Sequence, residues 1–217
     1  MYHVLILHLD DTYFYQRKLR KSATREIDLR FLKEKKIMYP LDKLKFMEKR
    51  IPINKSLINL IGKGDYHYFS FIFLKLINEP FVLLVIDSHL DMRYSKDNFI
   101  RCDSWIYNTG PLNNLRQIFY INSSNIDNIP VIMIPVYIIS IDKDIIDRKY
   151  LKTNWTNGNL STDQLFEFLS KIQSKNKIIG VDICGEPEFN IQEIRKSEVI
   201  NLSITNIFQS FKLKKSA

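Results

Sequence analysis

Apolar residues in this chain come largely in short unbroken runs, and several of these runs break abruptly into polar residues. The sharpest break follows Phe81 to Ile86, where the chain turns to Asp87-Ser88-His89-Leu90-Asp91. An unbroken apolar run of that length reads as a strand buried on both faces, the mark of a parallel sheet. Val4–Leu9, Leu57–Ile61, Arg116–Ile121, Val131–Ile139 and Lys177–Ile183 read as further strands. Pro135 counts against full pairing of the fourth of these, because proline has no N–H for a ladder.

Between the strands lie helical patterns. The spacing predicts helix from about Ala23 to Lys36, and again over Leu41–Lys49, between Pro40 and Pro52. A third helix carries Phe69, Phe71, Ile72, Leu74 and Leu76 and ends at Asn78-Glu79-Pro80. Ser161 or Thr162 can cap a helix over Asp163–Ile172, and a final helix spans roughly Ser197–Phe211 before a basic tail. Strands alternating with helices predict an α/β fold: a three-layer sandwich with a mostly parallel sheet, with residues 1–217 as one domain.

Polar clusters recur after strand ends, which is where open α/β sheets carry their sites. Asp87, His89 and Asp91 stand at i, i+2 and i+4, so an extended chain aims them to one side. Gly62-Lys63-Gly64-Asp65-Tyr66-His67 follows one run, Ser140-Ile141-Asp142-Lys143-Asp144 another, and Cys184-Gly185-Glu186-Pro187-Glu188 the last. Gathered at one sheet edge, His67, Asp87, His89, Asp91, Asp142 and Asp144 would bring four carboxylates and two imidazoles together. Unpaired carboxylates so placed repel one another and resist ionisation. Two divalent cations would neutralise them, and a carboxylate-rich set with some imidazole suits Mn²⁺ better than Fe²⁺, Co²⁺ or Zn²⁺. A calcium loop over Asp142–Asp147 fails, because its sixth position is Asp147 rather than glycine and no glutamate closes it.

Composition narrows the setting. The net charge is +8, yet Lys and Arg are spread out, and the clusters at Arg17–Lys21, Lys33–Lys36 and Lys212–Lys215 lack interleaved aromatics. They read as solvated faces, so nucleic acid is not an expected partner. Two cysteines, Cys102 and Cys184, exclude a disulfide scaffold and suit a reducing cytoplasm. No apolar run reaches membrane-spanning length, and the opening Val4–Leu9 is too short for a secretory signal. The expectation is a cytoplasmic protein with no membrane contact.

Four of the strings, in order, resemble the arginase/agmatinase (ureohydrolase) family. That family carries Gly-Gly-Asp-His, then Asp-x-His-x-Asp, then Ser-x-Asp-x-Asp-x-x-Asp, then a late strand ending near a Glu. Gly62–His67, Asp87–Asp91, Ser140–Asp147 and Val181–Glu186 stand in those places. The departures are one extra residue before His67, Arg148 where the family has proline, and Glu186 one residue late. The resemblance implies an arginase-like fold with two metal ions. His67, Asp87, Asp91 and Asp142 would hold one; His89, Asp87, Asp142 and Asp144 the other, with Asp87 and Asp142 bridging. A bridging hydroxide would attack the trigonal carbon of a small cationic guanidino or amidino substrate. Asp144 would carry the proton to the leaving amine and Glu186 would pair with the cationic head. Members of the family commonly assemble as homo-oligomers.

Two other readings compete. One is an amidohydrolase or deacetylase of acylated amines, although relatives that cut acyl-lysine keep fewer carboxylates and a single zinc. The other is a non-catalytic binding module, which would hold no metal. Among the remaining residues, Cys102 and Cys184 lack a neighbouring His and are not expected to be reactive. His3 and His8 read as strand residues, with His8 also a candidate for the pocket rim. Asp65 and Asp147 either orient ligands or form caps and ion pairs, and Trp105 and Tyr107 read as core.

Overall fold

The computed structural model describes residues 2–33, 35–51, 57–94, 97–127 and 136–210. The strands are β1 (His3–His8), β2 (Arg25–Asp28), β3 (Met38–Pro40), β4 (Leu57–Leu60), β5 (Phe81–Ile86), β6 (Phe99–Arg101), β7 (Leu115–Ile121), β8 (Val136–Asp142) and β9 (Lys177–Cys184). The α-helices are α1 (Arg17–Ser22), α2 (Leu44–Glu48), α3 (Ser70–Lys75), α4 (Thr162–Lys175) and α5 (Ile191–Ser210). Seven strands form one sheet in the order β2-β1-β4-β9-β8-β5-β7, with every pairing parallel. The architecture is the three-layer α/β fold expected from the alternation of runs.

The two cores follow from strand geometry. All six residues of β5 are buried, and successive side chains point to opposite faces. Val82, Leu84 and Ile86 join a cluster with Leu165, Phe168, Leu169 and Ile172 of α4 and Ile200, Ile204 and Phe208 of α5. Phe81, Leu83 and Val85 face a second cluster with Leu44 and Met47 of α2, Ile72 and Leu74 of α3, and Trp105. An apolar run with no polar alternation is what a strand covered on both sides requires.

Several expectations need correction. Ala23–Lys36 is not a helix: the helix is α1, and Arg25–Asp28 forms β2 beside β1, from Leu5↔Arg25 to His8↔Asp28. Thr24 N donates to Val4 O at 2.8 Å and opens this pairing. β2 is an edge strand, and its charged residues hide it from a search for apolar runs. Leu41–Lys49 begins as a 3₁₀ turn over Leu41–Lys43, and the helix proper is only α2. The third predicted helix divides into a buried 3₁₀ stretch, Gly64–Phe69, and the short α3. α5 starts earlier than Ser197, because Asn190 Oδ1 accepts the N–H groups of Gln192 and Glu193. Ser161 caps α4 as read, with Gln164 closing the reciprocal bond. The small antiparallel pair β3–β6 had no signal in the sequence. Residues 131–135 of the predicted fourth strand, Phe211 and the basic tail lie outside the described residues.

The register sets up the site. Ile86 pairs with Ile141, Ile141 with Ile183, and Asp142 with Cys184. Leu60 also pairs with Ile183. Parallel strands all end at one edge, so Asp87, Asp142, Cys184 and Ile61 arrive there abreast.

Candidate metal centre

At that edge the six candidate ligands meet. His67, on the buried 3₁₀ stretch, has its Nε2 within 2.9 Å of Ser140 Oγ on β8, which fixes the ring. Its other nitrogen, Nδ1, lies 2.9 Å from Asp91 Oδ2, 3.3 Å from Asp87 Oδ2 and 3.5 Å from Asp142 Oδ2. His89 Nδ1 lies 2.8 Å from Asp144 Oδ2 and 3.8 Å from Asp87 Oδ1. Three overlapping groups result, one of His67, Asp87 and Asp91, one of Asp87, His89 and Asp144, and one of His67, Asp142 and Cys184; within each, all donor atoms fall within 4.8 Å of one another.

Backbone groups hold the carboxylates in place. His89 N donates to Asp87 Oδ1 at 2.7 Å, Asp144 N to Asp142 Oδ1 at 3.0 Å, and Ser88 N to Asp144 Oδ1 at 3.2 Å. Asp91 sits at φ +47°, a left-handed conformation that aspartate tolerates better than most residues. Gly185 has φ +80°, and a Cβ there would lie 2.2 Å from Asp142 Oδ1 and 2.5 Å from Lys143 N. Only glycine lets the chain pass behind Asp142 so closely.

The geometry and the unmet bonds suit cations. Donor atoms about 2.1 Å from one ion stand about 3.0 Å apart at right angles and about 3.4 Å apart at tetrahedral angles. The three contacts of His67 Nδ1 span nearly that range. Among the described residues, His67 Nδ1 and Asp87 Oδ2 are buried with no aligned hydrogen bond. Orphaned atoms of this kind are rare in folded proteins and call for an explanation. Asp87 is pushed well above the ordinary carboxylate range, first by burial and then by Asp142 and Asp144, against the favourable pull of His67. Burial, followed by Asp144, raises Asp142 to about 7. The hydrogen bond to Asp144 raises His89 to about 9. Carboxylates that resist ionising, beside imidazoles that hold their protons, mark an excess of negative charge that cations would relieve. The cleft above it, about 70 Å³, is lined by Gly64, Asp87, His89, Asp91, Cys102, Asp103, Asp142, Asp144 and Trp155, with no lysine or arginine among the described residues. That volume accommodates ions and a few waters.

Glu186 belongs elsewhere. It is fully buried on the far side of Lys143, whose ammonium it pairs with. Gln16 Nε2 donates to it at 2.6 Å, and Ser197 Oγ and Asn201 Nδ2 each at 2.7 Å. With both oxygens engaged and no exposure, it does not face the cleft, which corrects its expected place beside the substrate's cationic head. His8 is buried against Glu26 at 2.5 Å rather than on the pocket rim. Asp147 Oδ1 accepts Lys149 N and so makes a local turn. Asp65 Oδ1 accepts Asn154 Nδ2 and Trp155 Nε1, both at 3.1 Å, and thereby holds the loop that carries Trp155 over the cleft.

Trp105 is core, as read, but it does more. Its Nε1 donates to Asp91 Oδ2 at 2.9 Å, and its ring centroid lies 4.8 Å from that of His67. The signal was a tryptophan on the first polar segment after the Asp-x-His-x-Asp string, where a lone N–H donor can orient a carboxylate. Both cysteines are free and buried. Burial pushes the Cys102 thiol up to about 12 and the Cys184 thiol well above its usual value, so neither is an activated nucleophile. Among the described residues no helix is long and apolar enough to cross a membrane.

No family model matches the chain. An uncharacterised protein of Thermotoga maritima is 32% identical over 223 residues, covering 93% of this chain and 88% of that one. Solved structures resemble it across almost its whole length. The formimidoylglutamase of Bacillus subtilis has a TM-score of 0.68 at 12% identity, covering 94% of this chain and 86% of its own. The agmatine ureohydrolase of Thermoplasma volcanium has a TM-score of 0.63 at 12% identity, with coverages of 98% and 91%. The Entamoeba histolytica arginase, solved with L-ornithine, has a TM-score of 0.60 at 14% identity, with coverages of 94% and 99%. The chain and the Thermotoga maritima protein therefore belong to one family, and the chain has the fold shared by arginases, agmatinases and formimidoylglutamase.

Proposed function

We propose that this chain is a metal-dependent hydrolase of a linear C–N bond, acting on a small cationic guanidino or amidino compound with two divalent cations bound. The convergence of His67, Asp87, His89, Asp91, Asp142 and Asp144 on one cleft supports this reading most directly. The first cation would be held by His67, Asp87, Asp91 and Asp142, the second by His89, Asp87, Asp142 and Asp144. Each set offers three carboxylates and one imidazole, which suits Mn²⁺.

When bound, the cations supply Lewis acidity, which makes a water acidic enough to be the nucleophile near neutral pH. The chain's own groups do the rest. Ser140 and Trp105 stop His67 and Asp91 from turning out of line. Asp144, with Oδ2 2.8 Å from His89 Nδ1, takes up the proton released by the attacking water and returns it to the leaving amine. Asp103 and Trp155 wall the cleft. Asp103 Oδ1 is buried with no hydrogen bond among the described residues, and an acidic and aromatic wall of this kind favours a cationic head.

The test is to strip the purified protein with a chelator, reload it with Mn²⁺, count bound metal by elemental analysis, and assay guanidino compounds for urea. Two equivalents per chain and urea release from at least one compound are expected. Acetate or formate release from acylated amines instead would move the substrate to the deacetylase class. A protein that retains no metal would overturn the reading in favour of a binding module.

A further inference from the structure

The ligand set read from the sequence is all nitrogen and oxygen, but a sulfur atom lies among it. Cys184 is the last residue of β9 and sits beside Asp142 in the register. Its Sγ is 3.2 Å from Asp142 Oδ2. Donor atoms of His67, Asp142 and Cys184 all lie within 4.8 Å of one another, and all three residues are buried. A sulfur about 2.3 Å and an oxygen about 2.1 Å from one ion stand about 3.1 Å apart at right angles and about 3.6 Å at tetrahedral angles. The observed separation falls inside that span. The neighbouring His67 Nδ1 is itself buried without an aligned hydrogen bond, so an unmet donor marks the same point. Gly185 matters here as well, since any side chain there would press on Asp142 and Lys143 and force β9 to carry Cys184 away.

Resting on the reading of a two-cation site, we propose that Cys184 is a thiolate ligand of the cation held by His67 and Asp142. Binding forms one metal–sulfur bond and releases the thiol proton to solvent, because a coordinating thiol is deprotonated outright. The two subsites are then unlike. The one at His89 and Asp144 is hard and oxygen-rich. The one at His67 carries nitrogen, oxygen and sulfur, and so prefers a softer ion such as Zn²⁺ or Co²⁺ over Mn²⁺.

The chain has only two cysteines, which makes the test unambiguous. Full-length protein is stripped and loaded with Co²⁺, bound cobalt is counted by elemental analysis, and the near-ultraviolet thiolate-to-cobalt charge-transfer band is recorded. The band is expected in the wild type and in Cys102→Ser, where Cys184 is the sole sulfhydryl, and is lost in Cys184→Ser. Cobalt bound to wild type and to Cys102→Ser without the band would overturn the proposal while leaving the two-cation site intact, as would a band abolished by Cys102→Ser. Failure of wild type to bind any cobalt would overturn the metal site itself, and this inference with it. Cys102→Ser keeps the test decisive even if Cys184→Ser does not fold.

Discussion

Asp142, Lys143 and Asp144 are consecutive, yet they enter two different buried clusters. Lys143 meets Glu186, Gln16, Ser197 and Asn201. There the ammonium binds Glu186, Ser197 and Asn201, and both Glu186 oxygens accept bonds in turn. Asp142 and Asp144 meet Asp87, His67 and His89, where anions crowd together and donor atoms go without bonds. The Lys143 cluster is wholly buried while His89 reaches the surface, and among the described residues only the Lys143 cluster answers its carboxylate with a lysine. A buried charged network that only holds the fold together has to be complete. One left short of positive charge is shaped for something that arrives later.

The contrast breaks most sharply at Asp87 and Asp142, the carboxylates proposed to bridge the two subsites. Asp87→Asn with Asp142→Asn is expected to bring retained metal to background and cut hydrolysis by roughly a thousand-fold or more. The metal-free melting temperature should not fall, since removing crowded anions relieves repulsion. A steep fall in that melt would make the cluster a structural network like its neighbour. The opposite outcome is expected for Lys143→Met, which strands the Glu186 carboxylate in the interior and costs about 3–5 kcal/mol. Urea denaturation measures that loss, and Glu186→Gln added to it should restore part of the stability. Metal content should stay at the wild-type level.

A smaller effect tests the supports of the ligands. Trp105→Phe keeps the ring in the core but removes the N–H bonded to Asp91. Metal affinity should drop about 10–100-fold, with stability changed by less than about 1.5 kcal/mol. Calorimetric titration and a thermal melt separate the two. The mildest probe is pH. Burial raises Asp142, and likewise Asp182, to about 7 from 3.8, so the metal-free folded protein holds more protons than the unfolded chain in that window. Its stability falls as pH rises through the window, and the share owed to His89, present below 6.5, is lost as pH climbs through about 9. Cations compete with the protons on Asp142 and His89, so their affinity should rise about tenfold per pH unit from 6 to 7 for each proton displaced. Melts at pH 6 and pH 8 should therefore move in opposite directions with and without metal.

Much of the fold was legible because β5, β8 and β9 lie inside the sheet, where β5 is apolar throughout and the other two mostly so. The candidate ligands were legible because each stands at or after the end of a strand of the sheet. β2 escaped because an edge strand carries charge where an inner strand cannot. Glu186 misled because strand-end position does not reveal which way a side chain turns. The answer depended on Lys143, whose partner stands far along the chain. Trp105 and Cys184 were visible as residues but not as neighbours of Asp91 and Asp142, since their contacts cross between elements whose separation only the register defines.

That register also orders events in time. The prospective donors come from the turn after β4 and from the ends of β5, β8 and β9, and they meet only after long-range parallel pairing is in place. Pairings between distant segments are the slow part of a folding search. The unfolded chain offers an ion only the local strings Asp87–Asp91 and Asp142–Asp147, so on the proposed reading metal would stabilise the native state far more than the unfolded one, by about 4 kcal/mol at a thousand times its dissociation constant. Under the proposed two-cation reading, loading would act as a lock turned after assembly: it would slow escape from the folded state and leave the rate of arrival unchanged.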